Sequence, residues 1–137
     1  MDILKKKGDS LSKALATLEK AIIELPKHDR KSNEDTYITY RDSLIKRFEY
    51  SSDLFWKFLK EYLEARYGVL AAAPKSVYRE CLVAQVLTED ETKTCIAMVE
   101  ARNQTAHIYR EESAEYIAGL VPGFCKLMTS IFHRITK

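Results

Sequence analysis

The spacing of apolar side chains near the start of this chain restricts its fold more than any other feature. Leu4, Leu11, Leu15, Leu18, Ile22 and Leu25 follow one another at steps of seven, four, three, four and three. At 3.6 residues per turn these steps draw one stripe along one side of an amphipathic helix of about six turns. A half-buried strand would need alternation by two. The supply of turn formers agrees, since 4 Gly and 3 Pro among 137 residues are too few for the many reversals of an all-β fold.

The rest of the chain reads as more helices. Asp9 or Asp2 can open the first, and Pro26 stops it. Residues 27–33 form a polar connection in which His28 reads as a solvated loop histidine. A second, unusually long helix is expected from Glu34 to Arg66, with Gly68 as its C-terminal cap. Its apolar residues cover more than one stripe, as for a central helix or one that also packs on a partner. Pro74 suits the first turn of a third helix, Lys75 to Leu87. Thr88-Glu89-Asp90-Glu91 is a capping box that opens a fourth helix. A fifth is expected from Glu111 to Ile135, kinked at Pro122 between Gly119 and Gly123. Glu111, Glu112 and Glu115 suit the positive end of its dipole. Together these elements predict one domain over residues 1–137, an all-α up-and-down antiparallel bundle of four to five helices.

Composition excludes several function classes. The formal net charge is +2, too small to predict nucleic-acid binding from bulk electrostatics. No Gly-rich phosphate loop, HExxH, internal repeat or low-complexity segment is present. Cys81, Cys95 and Cys125 form no CxxC and read as buried reduced thiols, so no metal site is expected. The first residues contain no apolar signal-peptide core, and no apolar run has the length of a membrane span. A cytoplasmic protein without membrane association is the expectation.

One stretch departs from simple packing. Arg102-Asn103-Gln104-Thr105-Ala106-His107-Ile108-Tyr109 concentrates polar groups at the end of the fourth helix. Asn103 is a poor helix former and Thr105 is β-branched. On a helix Arg102 and His107 would stand about 140° and roughly 7.5 Å apart, close enough to share a groove, with Asn103 able to bridge them. A guanidinium that keeps its proton is suited to a phosphate and to the charge of a pentacoordinate transition state. An imidazole that titrates near neutrality can remove a 2′-hydroxyl proton or protonate a leaving oxygen. That combination needs no metal for RNA transesterification. A homodimer would bring a second His107, supplying both acid and base. The plainer alternative is a structural Arg–Asn–His network that ties the fourth helix to its neighbours.

The spacing Arg102-Asn103, His107 and Tyr109 resembles the R-x(4-6)-H-x-Y signature of HEPN domains, specifically HepT-like toxins. The stretch from Tyr40 through Tyr50 to Lys60 resembles the nucleotidyltransferase substrate-binding protein branch of that superfamily. The resemblance spans essentially the whole chain. It implies a helical bundle that dimerises, with the motif at the dimer groove, and a separately encoded minimal nucleotidyltransferase as antitoxin. It further implies a metal-independent endoribonuclease with no cofactor. In it Arg102 stabilises phosphate, His107 is acid or base, Asn103 orients them, and Tyr109 accepts AMP from the antitoxin. The alternative carried by the same branch is a non-enzymatic partner that presents substrate to the nucleotidyltransferase.

Overall fold

The computed structural model describes residues 2–137, and among them every regular element is helical. Helix α1 (Ile3–Glu24) starts on Asp2, whose carboxylate accepts from the Leu4 amide at 2.9 Å. Asp2, rather than Asp9, is therefore the opening residue. A 3-10 turn at Leu25–Lys27 contains Pro26. Helix α2 (Glu34–Tyr67) begins on Asn33, which accepts from the Thr36 amide, and ends at Gly68 with φ +66°. Glycine meets no Cβ penalty in that left-handed conformation.

Helix α2 is the central element and packs against α1 along much of its length. Its Phe48, Phe55, Phe58, Leu59 and Leu63 are fully buried or nearly so. Each such side chain contributes about 1.5–3 kcal/mol by leaving water. From α1 they meet Leu11, Leu15 and Leu18, the predicted stripe, and from the other helices Val77, Met98 and Ile117.

Two expected boundaries move, each for a visible reason. Helix α3 runs only over Pro74–Val83. Gln85 takes φ +62°, and the amides of Val86 and Leu87 fold back to the Cys81 carbonyl at 2.8 and 3.2 Å. Val86 and Leu87 still enter the core, but from this turn. Helix α4 (Glu89–Gln104) opens on the predicted capping box, with Glu91 N to Thr88 Oγ1 at 3.1 Å and Thr88 N to Glu91 Oε1 at 2.9 Å. It does not continue to Tyr109. A 3-10 turn takes over at Thr105–His107.

Helix α5 (Glu111–Ile135) has the expected bounds and passes through Pro122, which lies on its exposed side. His28 departs from its expected solvated loop. Its ring stacks on Tyr40 with centroids 3.9 Å apart, and Nε2 lies 2.9 Å from Glu24 Oε2. The turn after α1 brings these groups together, which spacing did not show. All three cysteines are free and buried, and burial pushes the Cys81 and Cys95 thiols up to about 12. Among the described residues no helix is long and apolar enough to cross a membrane.

Candidate functional site

The site is assembled where α4 runs out against the middle of α2. Glu49 and Asp53 stand four residues apart on α2, hence on one face of it. Arg102, in the last turn of α4, reaches across to both. Its Nε donates to Asp53 Oδ1 at 3.0 Å and Nη2 to Asp53 Oδ2 at 3.1 Å, a two-pronged pairing. Its Nη1 donates to Glu49 Oε2 at 2.8 Å. The Asp53 hydrogen bonds, against an opposing effect of burial, raise the Arg102 pKa, so the group stays a cation. Lys46 Nζ stands 3.8 Å from Glu49 Oε1, so the two carboxylates are balanced by two cations.

Thr105 explains why the helix stops here. Its hydroxyl lies 2.7 Å from the Arg102 carbonyl and 2.8 Å from Glu49 Oε2, and accepts from Arg102 Nη1 at 3.0 Å. A threonine bound locally in this way offers the backbone an alternative to the next α-helical turn. The side chain is buried, and the residues after it are swung to the surface.

His107 and Tyr109 are the groups so presented. Tyr109 is 74% exposed, and His107 is exposed beside it. Tyr109 Oη lies 3.4 Å from His107 Nδ1, at the long limit of a hydrogen bond, and the rings meet edge to face at 5.9 Å. The Arg110 guanidinium also lies against the tyrosine, 5.6 Å from its ring centroid.

The four expected residues thus fall into two groups. Arg102 is held by α2, whereas His107 and Tyr109 form an exposed pair, and among the described residues no hydrogen bond joins Arg102 to His107. Asn103 is exposed and makes no side-chain hydrogen bond among the described residues, so the bridge that spacing allowed is not formed. It lines a cavity of about 260 Å³ with Asp53, Trp56 and Arg102. A larger cavity, about 580 Å³, opens on the other side of Arg102 along Lys46, Arg47 and Tyr50. Glu49, Asp53 and Arg110 were not among the expected residues, and Thr105 was marked only as a β-branched departure from packing. The available signal was the pair of acids four apart on a long helix, a spacing that often forms a clamp for one cation. Among the described residues no three His, Cys, Asp or Glu side chains come together as a metal site would need.

Comparison with known proteins adds the following. Residues 7–137 match the family described as nucleotidyltransferase substrate binding protein like. A solved structure of a protein from Thermus thermophilus is similar, with 32% identity, TM-score 0.82, and 93% of this chain and 99% of that one covered. A second, from Haemophilus influenzae, is similar at 19% identity and TM-score 0.76, covering 95% and 99%. That structure is described as revealing the fold of a substrate binding domain of a nucleotidyltransferase. At that identity the likeness concerns the fold. A search of curated proteins found no match.

Proposed function

The chain belongs to the family of nucleotidyltransferase substrate-binding-like proteins, and from that membership we propose that it is the non-enzymatic substrate-binding subunit of a cytoplasmic nucleotidyltransferase supplied by a separate chain. The observation that carries this reading is the closed state of Arg102. Asp53 and Glu49 occupy its donors, so Arg102 itself is committed to carboxylates in the free chain and is not held open for a reacting phosphate. The exposed edge at Tyr109, flanked by His107 and Arg110, is instead suited to contact with a partner, because aromatic and arginine side chains dominate such contacts. Co-expression with the nucleotidyltransferase encoded beside it should yield a complex that survives gel filtration. Separate elution of the two proteins at micromolar concentration would overturn the reading.

A second reading is favoured by one observation, the adjacency of His107 and Tyr109 at the surface. The resemblance to HepT-like HEPN toxins implies that a homodimer of this chain cleaves RNA. The 2′-oxygen attacks the adjacent phosphorus, His107 handles the proton, Arg102 steadies the phosphate, Asn103 orients them, and the 5′-oxygen leaves. The nucleotidyltransferase would then be an antitoxin. The Tyr109 oxygen would attack the α-phosphorus of ATP, forming a phosphodiester and releasing pyrophosphate. Added charge and bulk beside His107 would block RNA. This chemistry requires Arg102 to leave at least part of its carboxylate clamp. Labelled RNA incubated in EDTA with the unmodified wild type and with His107→Ala separates the readings. Cleavage by the first alone makes the chain an endoribonuclease, and cleavage by neither supports the binding subunit.

A further inference from the structure

Away from the Arg102–Tyr109 stretch, the start of α1 and the ends of α2 and α5 line an open cavity of about 460 Å³, to which no residue of that stretch contributes. Its size falls within the roughly 300–1,000 Å³ of small-molecule sites. The inner wall is aromatic. Phe58 meets Phe132 edge to face at 5.2 Å and stacks with Tyr62 at 6.5 Å. The α1 wall is bare at Gly8, where a Cβ would lie 3.2 Å from Phe58 Cε1 and 3.8 Å from Phe132 Cε1. A glycine in a helix interior is less favourable than alanine, and here it lets the backbone pass close to the two rings.

The rim is cationic. Lys5, Arg66 and Lys137 line it, and among the described residues none of the three is in an ion pair or a side-chain hydrogen bond. The acids at the rim are Asp2, already accepting from the Leu4 amide, and Asp9. Three cations face two acids above a ring-lined floor, and neither Lys5 nor Arg66 is ion-paired among the described residues.

We propose that this cavity binds a flat aromatic anion, its ring lying along Tyr62 and the edge of Phe58 and its acidic group reached by Lys5 and Arg66. The inference deepens the substrate-binding reading, on which its biological meaning rests, and places the substrate seat apart from Tyr109. Its test needs no partner, so failure of the partner complex and failure of this site are separately visible.

The experiment is a fluorescence titration of the free full chain with 1-anilinonaphthalene-8-sulfonate, a flat aromatic anion. Saturable binding at one site is expected, weakened about tenfold or more in Lys5→Ala/Arg66→Ala through loss of two charge-assisted contacts. Ser12→Phe, an exposed position at the cavity mouth, should abolish binding while leaving the circular dichroism spectrum unchanged. Displacement by AMP or by benzoate is expected, and distinguishes a phosphate from a carboxylate. Equal displacement by uncharged adenosine, equal displacement by inorganic phosphate, or unchanged affinity in the double variant would each overturn the proposal, as would absence of saturable binding.

Discussion

Two arginines in this bundle are held in the same way, each by a pair of carboxylates four residues apart on a neighbouring helix. Arg41 of α2 donates Nη1 to Glu111 and Glu115 of α5, at 2.6 and 2.9 Å. Arg102 of α4 donates to Glu49 and Asp53 of α2. The difference is water. The Arg41 side chain is 3% exposed, and that of Arg102 is 32% exposed. Arg41 is further enclosed by Asp42 on its Nε and by Arg30 and Tyr37, which bind the same two glutamates. Burial alone would lower its pKa, but the hydrogen bonds of Glu115, Glu111 and Asp42 outweigh that and raise it. A clamp of that kind fixes the start of α5. The Arg102 clamp has a third of its cation in solvent and is bordered by cavities on both sides. Identical chemistry is thus sealed from water in one place and open to it in the other.

The largest effect that tests this contrast is expected from Arg41→Met. Removing the buried cation leaves Glu111 and Glu115 with Arg30 as their shared cation and the Tyr37 hydroxyl on Glu115. Breaking a buried pair costs about 3–5 kcal/mol, and the partial exposure of the two acids reduces the expected loss to about 2–3 kcal/mol. Urea denaturation measures it. A loss below about 1 kcal/mol would erase the distinction between the clamps.

Arg102→Ala should cost about 1 kcal/mol in the same assay, with the fold retained, because a partly solvated pair contributes little. Its mark should instead be local. Thr105 and Glu49 lose their shared partner, and the His107 ring resonances should shift in the NMR spectrum. A loss as large as that of Arg41→Met would make Arg102 a structural residue first.

The smallest effect is the pH dependence. The Glu111 carboxyl is held below its ordinary value of 4.5, first by the Arg30 hydrogen bond and then by Arg41. A depressed folded-state pKa contributes stability that is present above the unfolded value and lost as pH falls through the folded one. Stability should therefore decline as pH drops below about 4.5, and less steeply in Arg41→Met than in the wild type. An equal slope in the two proteins would remove Arg41 from the account.

The helices were readable from the order of residues alone, because helix formation rests on local spacing and capping. The α1 stripe, the Thr88–Glu91 box, Gly68 and the bounds of α5 were all legible from neighbours a few residues apart. The all-α class followed from them. Residue order also marked out the polar stretch at residues 102–109 as unlike its surroundings. How that stretch is divided, with Arg102 turned in and His107 and Tyr109 turned out, emerges only once the helices pack. The groups responsible, Glu49 and Asp53, lie about fifty positions earlier in the chain, and no local pattern pairs them with Arg102. The early end of α3 at Gln85 has the same origin. Glutamine carries no preference for positive φ, and burial of Val86 and Leu87 imposes the turn from outside. Local periodicity writes elements. Which charges meet, and how much water reaches them, is set by the packing of elements distant in sequence.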